Sequence, residues 1–558
     1  MTEWREHSYI PKLKEQFCEG KIDRREFLRY STLLGMSATA AYAFVGKVTG
    51  QGFVAPAKAA LPKGGTLRVS QRVVEVKNPH TFSWVYDSNV VRQVCEYLSK
   101  TAADNVTRPY LVEKWEVSDD LKTWDLHIRK GVKWHNGRAF TAEDAAWNIN
   151  HCLDAATGSS VLGLMKGYML EEFETGETDD SGNKKKSTRL WDANAIEVVS
   201  PELLRLNLKE AQVAVPEHLF HYPFAMLDPE EGGTFGIGSN GTGAFNLVAH
   251  DIGVKSELVA RDDYWGDGPY LERLQFIDLG DDPSAEVGAL ASGQVHGQYE
   301  GDVAQLDTLK ALPNIEIYEA LTAQTGVARV QVDREEFKDP RVRKAIRKAI
   351  DTRKILELAH RNLGAAGEHH HVCQVHPDYK ELAFHERDVE GAKALLKEAG
   401  LDSLEMSIAC KKDPAWELQA VQAMVEQWKE ANINVEINLM PSAQFWDNWD
   451  KVPFGFTSWT HRPLGFMVLG LAYRSGVPWN ESHYANPEFD ALLTKAEGTL
   501  DVDERREIIG QLETIMQEDG PITQPLWRSV FAAMDKKVKG YKRHPTNYIF
   551  GNELGIES

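Results

Sequence analysis

The 558-residue chain is most informative in what it lacks. It has only five cysteines, with no C-x-x-C pair and no Cys/His ligand spacing, which excludes iron–sulfur and zinc-ribbon chemistry. After the first fifty residues no run of about twenty uninterrupted apolar residues occurs, so no membrane-spanning helix is expected. Positive charge is in deficit: 63 Lys and Arg stand against 83 Asp and Glu, a net charge of -20. That balance excludes partners that demand a basic face, nucleic acid and anionic membrane among them. There is no G-x-S-x-G elbow, no H-E-x-x-H helix and no cysteine beside a local base motif, so an exported hydrolase is the weakest of the functional readings and no enzyme is expected. Internal repeats and low-complexity linkers are also missing, and any domains must be interleaved or directly packed.

What is present begins with "KIDRREFLRYSTLLGMSATAAYAFVG". A charged region, an apolar run from about Leu33 to Val45 and an A-x-A arrangement at Ala57 and Ala59 have the layout of a cleaved secretory signal. "DRREFLR", with Arg24 and Arg25 before Phe27 and Leu28, resembles the twin-arginine export signal, Asp23 standing where Ser or Thr is commonest. The expectation is a soluble periplasmic protein whose leader, residues 1–59, is removed and contributes nothing to the fold. Cys18 falls in that leader without a lipobox-like stretch before it; among the other four, Cys373 with Cys410 is the nearer pair for a disulfide.

Further on, helical and strand patterns mix as in α/β layers. "FTAEDAAWNINHCL" predicts a helix capped by Thr141, with Ala145, Ile149 and Cys152 on one side. In "KDPRVRKAIRKAID", Asp339 caps and Pro340 takes the first helical position; "DVEGAKALLKEAG" starts at Asp388 and stops at Gly400. "AWELQAVQAMVEQWKEANINVEINLM" passes from helical period to strand alternation. "ETGETDDSGNKKKSTRLWD", acidic then basic with Gly and Ser between, reads as a solvated surface loop, Lys184 to Lys186 included.

Several segments in order resemble the periplasmic solute-binding proteins of the oligopeptide, dipeptide and nickel class that serve ABC importers (family 5). They are "WDLHIRKGVKWHNGRAFTAEDAAWNI", "GSNGTGAFNLVAHDIG", "LVARDDYWGDGPYLERLQFIDL", "ALASGQVHG", "DPRVRKAIRKAID", "AKALLKEAG", "HYANPEFDALLTKA" and "DGPITQPLWRS", covering about Leu67 to Gly540. The resemblance implies an α/β bilobed flytrap with an extra subdomain inserted in the first lobe. Lobe I would comprise residues 60–98, 196–320 and 525–558, the insertion residues 99–195, and lobe II residues 321–524. It further implies capture of a solute by lobe closure, delivery to membrane permease subunits, a monomeric receptor and no cofactor. A metal-chelate (nickel-type) or haem-type carrier on the same fold is the alternative.

In peptide-binding members an aspartate follows a tryptophan in a Trp-x-x-Asp-Tyr setting and pairs with the ligand's amino terminus. Here "FGFTSWTHRPLGF" puts Trp459 at the match and Arg462 at the acidic position. The inverted sign points to a small anionic solute held by the guanidinium fork, with Trp459 as a stacking wall and His461 as a neutral hydrogen-bonding neighbour. Glu300 in "GQYEGD" and Arg329 in "TGVARVQVD" are candidate polar contacts; Trp84, Tyr86, Trp479 and Asn480 are candidate loop contacts. "GEHHHVCQVH" is rich in histidine, but adjacent histidines in an extended loop cannot all face one ion, so no metal site is assigned.

Overall fold

The computed structural model describes residues 7–50, 60–82, 84–178 and 184–557. Its frame is one mixed sheet, in the order Phe245–Asp251, Lys255–Ala260, Arg273–Ile277, Thr66–Ser70, Gly297–Gln298, Ile522–Asp535, Ile315–Val330, Phe454–Trp459, Leu404–Lys411, Ile433–Met440. The two long central strands, Ile315–Val330 and Ile522–Asp535, run antiparallel from Ile315 opposite Asp535 to Arg329 opposite Ile522. Their register breaks between Ala320 and Gln324. On one side of that break the pair continues to Gly297–Gln298 and lobe I; on the other it continues to Phe454–Trp459 and lobe II. The break is thus the joint between two lobes that share a sheet, and an extra, locally unpaired stretch is where a ladder bends.

Local chemistry fixes the flanking helices. Thr141 and Asp144 form a capping box on Ala142–Leu153, Asp339 accepts from the backbone N–H of Arg341 at 2.9 Å to start Pro340–Lys348, and Asp388 accepts from that of Gly391 at 2.8 Å to start Val389–Glu398. Helix Ala415–Lys429 feeds strand Ile433–Met440, burying Val421, Met424 and Trp428 against lobe II.

Four expectations change. The insertion does not end at residue 195: Ile196–Ser200 and Leu203–Asn207 pair into the same four-stranded antiparallel sheet as Val112–Val117 and Thr123–Ile128, so it reaches at least residue 207. The charged stretch is a hairpin, Leu170–Thr178 with Lys184–Leu190, because its opposite charges face across the strands: Arg189 with Glu171 at 2.7 Å and Lys184 with Glu174 at 2.6 Å. Residues 179–183, the middle of that stretch, lie outside the described residues. All five cysteines are free thiols; Cys373 sits in a loop against Thr322 and Cys410 on strand Leu404–Lys411, each buried in its own core.

The leader, finally, contributes to the fold of the uncleaved chain. Ile10–Cys18, Arg24–Leu33 and Ala38–Thr49 are helices whose Leu13, Phe27, Tyr30 and Leu33 are buried in a core shared with Trp115 and Trp124 of the insertion and Ile508 and Leu512 of lobe II. Amphipathic spacing within a segment read as a signal supplies the reason: the same apolar residues that a membrane or export receptor would bind can be buried by the body. The A-x-A residues Ala57 and Ala59 lie outside the described residues.

Candidate functional site: a cleft between the lobes

A cavity of about 320 Å³ opens at the joint of the crossing strands and is lined from both lobes. Lobe I supplies Trp84 and Tyr86, the acidic turn Asp278–Asp282, Glu286, and Tyr299 to Val303; lobe II supplies Gln324 and Thr325, His360, Lys412 to Glu417, and Ser458 to Thr460. Arg528 and Asn547 complete it from the C-terminal segment.

Aromatic rings make its walls. Trp84 stacks on Tyr86 with centroids 5.2 Å apart, Tyr86 meets Tyr299 edge-on at 5.9 Å, and Trp84 reaches across to Trp446 of lobe II at 4.2 Å. Trp459 holds the opposite side. Its indole N–H donates to Glu481 at 3.1 Å, and Glu481 also accepts from Thr457 Oγ1 at 2.6 Å and from Arg329 Nε at 2.6 Å. Arg528 lies over the face of Trp416, 4.7 Å from its centroid.

The polar groups are mainly acidic. Glu300 accepts from Arg528 and from Asn547 Nδ2, the latter at 2.5 Å. Burial raises its carboxyl, but Arg528 and Arg543 more than offset this, so Glu300 stays below its ordinary value and charged. Glu286 differs: burial lifts it to about 7, opposed by the Ser70 hydroxyl that donates to it at 2.6 Å and helped by Asp302, Glu300 and Asp278. Arg72 is engaged by Asp278 and Asp281, and buried Lys411 by Glu417. Among the described residues Glu286, Asp302 and Asp413 take part in no ion pair, accepting only hydroxyl or backbone hydrogen bonds. The lining sets Arg72, Lys412 and Arg528 against Asp278, Asp281, Asp282, Glu300, Asp302, Asp413 and Glu417, an excess of negative charge that holds with Glu286 protonated.

Of the residues singled out in the sequence, Trp84, Tyr86, Glu300 and Trp459 come together on this cavity. Five others take different places. Arg329 is fully buried and bonded to Glu481 and to the carbonyls of Val452 and Trp449, beneath Trp459 and away from the cavity. Arg462 is 4% exposed and donates to Thr460 and to the carbonyl of His461 in its own turn, packed over Tyr222 at 5.2 Å. His461 accepts from the Ala323 N–H at 3.2 Å and donates to Asn105 at 3.1 Å, joining the crossing strand to the insertion. Burial holds its pKa well below the usual histidine range, so it is neutral. Trp479 packs edge-on against Trp459 at 5.9 Å, behind the cavity wall. Asn480 spends its amide on the carbonyls of Arg474 and Tyr484 and on Ser482, organising an outer loop.

The arginines that line the solute space are thus Arg72 and Arg528, not Arg462. Trp416, Arg528, Asn547 and Glu286 were not read from the sequence as site residues. "DPAWELQ", with a tryptophan two residues after an Asp-Pro pair at a helix start, is the one local signal that could have found Trp416.

A bilobed molecule with an aromatic-walled cleft lined from both lobes can enclose a small solute. The sequence profile described as "Bacterial extracellular solute-binding proteins, family 5 Middle" matches residues 107–475. The chain belongs to that family. It is an extracellular solute-binding protein with the bilobed periplasmic-binding-protein fold. Among its relatives, the dipeptide-binding protein of Escherichia coli is 24% identical over 86% of this chain and 92% of its own length. Heme-binding protein A of Haemophilus influenzae is 25% identical over 79% and 82%. The solved structure of the ABC transporter-associated periplasmic binding protein DppA from Helicobacter pylori, in complex with peptide STSA, superposes with a TM-score of 0.75 at 18% identity, covering 89% of this chain and 99% of that one.

Proposed function

We propose that this receptor works in the periplasm, after export by the twin-arginine route, as a monomer that closes on one small solute and presents it to its permease. The solute sits in the 320 Å³ cavity at the joint, between the Trp84–Tyr86 wall and Trp416 with Trp459. The observation that carries this reading is the lining of one cavity by both lobes, because contacts made to both at once favour the closed form. Its volume suits a solute of about dipeptide size, at the lower end of the range for small-molecule sites.

The unpaired Asp302 and Asp413, joined by Glu286 once it deprotonates, favour a solute carrying an ammonium or other cationic group, with Lys412, in no ion pair among the described residues, available for one carboxylate. This replaces the anionic solute expected from Arg462, whose guanidinium is turned into its own backbone. No specific observation favours a metal-chelate or haem carrier. A thermal-shift screen of the protein against peptides, amino-acid conjugates, organic cations, organic acids and metal chelates tests the reading, since a ligand of the folded form raises the melting temperature by mass action. Stabilisation by zwitterionic or cationic solutes supports it; stabilisation by simple anions alone refutes the charge assignment.

A further inference from the structure

Helix Arg24–Leu33 divides the "DRREFLR" motif between solvent and the body. Asp23 accepts from the backbone N–H of Glu26 at 2.7 Å and Glu26 accepts from that of Asp23 at 2.8 Å, a capping box that starts the helix at the twin arginines. The residue that departs from the commonest form of the motif therefore has a local use. Arg24 and Arg25 are exposed, whereas Phe27, Leu28, Arg29 and Tyr30 are each at most 4% exposed.

What buries them is the seam where the insertion meets lobe II. From the insertion, Trp115 donates its indole N–H to the carbonyls of Thr32 and Leu33 at 3.1 Å, and the Asn105 carbonyl accepts from Arg29 Nε at 3.2 Å. The chain leaves the helix through Gly35, at φ +85°, so close to the Trp115 carbonyl that a Cβ there would lie 3.0 Å from it. From lobe II, Asp378 accepts from the Tyr30 hydroxyl at 2.6 Å, Arg505 lies over the Tyr30 ring at 4.3 Å, Arg506 pairs with Glu26, and Asp501 accepts from Tyr9 and Lys12 at 3.2 and 2.7 Å. Phe17 and Phe44 of the flanking helices close over Phe27, with centroids 5.0 and 5.2 Å away. An export receptor that reads Phe27 and Leu28, or a membrane that takes up the apolar run after them, must bury the same faces that the body already buries. Docking and export are therefore alternatives. Only the undocked fraction of the precursor can be engaged, and the apparent affinity of the export machinery for it falls by that fraction.

We infer that the seam between the insertion and lobe II is a binding site for the chain's own export signal, and that docking there withholds the apolar half of the motif until the leader is released. The inference rests on the twin-arginine export proposed above. The segment the seam fits is an amphipathic helix that brings an arginine to the Asn105 carbonyl and a tyrosine hydroxyl to Asp378, one turn beyond a capping box.

The test measures docking and export on the same full-length chains. Arg506→Gln combined with Asp501→Ser, which keeps a capping hydroxyl, removes lobe II partners and leaves the leader sequence untouched. Trp115→Phe removes the donor to Thr32 and Leu33 but keeps a ring, and covers the case in which the double variant folds poorly. Amide exchange over residues 27–34 of the precursor purified from the cytosol reads docking; pulse-chase labelling reads the half-time of arrival in the periplasm. Residues 27–34 of the parent should be protected. Each variant should raise exchange there by about tenfold, as the loss of two side-chain contacts implies, and shorten the half-time by about threefold or more, while strands 315–330 and 454–459 exchange as in the parent. An unprotected segment 27–34 in the parent precursor, protection unchanged in both variants, or faster exchange with an unchanged or longer half-time each overturns the inference. Failure of the twin-arginine reading would look different: Arg24→Lys with Arg25→Lys would be exported undiminished while the parent precursor stayed protected over residues 27–34.

Discussion

Replacing Glu481 by glutamine tests whether the cleft wall is held from behind. Glu481 and Arg329 are 2% and 0% exposed, 2.6 Å apart, and Glu481 is at the same time the acceptor for Thr457 and for the Trp459 indole. A glutamine has nearly the same shape but one acceptor atom, and its amide N–H₂ must face a donor, so at least one of three hydrogen bonds is lost and Arg329 is left as an uncompensated buried charge. Removing one partner of a buried pair costs about 3–5 kcal/mol. With a urea dependence of about 2–3 kcal/mol per molar, the midpoint of the transition that unfolds lobe II should fall by about 1–2 M. Tryptophan fluorescence reports it. Solute affinity should fall about fivefold as well, the worth of about 1 kcal/mol for an oriented indole. Converting both residues to apolar ones, Arg329→Met with Glu481→Leu, should recover most of the stability but not the affinity, because Trp459 still lacks its acceptor. A midpoint shift below about 0.3 M for Glu481→Gln would refute the argument that this pair supports the cleft.

Arg24→Lys with Arg25→Lys should abolish appearance of the protein in periplasmic extracts, and undiminished export would show that the general secretory route suffices. Arg462→Ala should lower stability through lost packing on Tyr222 and leave solute affinity within about twofold by calorimetry; a loss of a hundredfold would restore Arg462 as a ligand contact. Glu286 titrates near 7 in the folded chain and 4.5 when unperturbed, so its protonated form stabilises the folded state below pH 4.5 and that stabilisation is lost as pH rises through 7. Over the same window a cationic solute should bind more tightly, the charge having appeared; Glu286→Gln should flatten both trends, as followed by thermal melts and calorimetry from pH 5.5 to 8.5.

The helices legible in the sequence were those with a capping residue at the right place: Asp339 and Asp388 each accept a backbone hydrogen bond at their helix starts, and the backbone N–H of Thr141 donates to Asp144 in its own first turn. The family was legible because many weak turn and strand segments occur in one order. The hairpin at residues 170–190 was not, since charge complementarity between Glu171 and Arg189 exists only once a register is chosen. Nor was the fate of Arg329 and Arg462. A guanidinium looks the same in sequence whether its partner comes from a ligand, from its own turn, as for Arg462, or from a segment 152 residues away, as Glu481 does for Arg329. Within the cleft, Trp84, Tyr86, Glu300 and Trp459 could be found from loop position and family resemblance; Trp416, Arg528 and Asn547 come from three distant stretches that only the crossing strands bring together. The leader was misread as fold-neutral because an export signal and a docking amphipathic helix share one apolar pattern.

The central claim is that the solute is enclosed at the strand joint. Hydrogen-exchange mapping of the protein with and without the strongest stabiliser from the thermal-shift screen addresses it most directly. Protection is predicted at residues 84–86, 299–302, 412–417 and 457–460, from both lobes together. Protection confined to the outer cavity beside residues 476–485, or to one lobe alone, would contradict it.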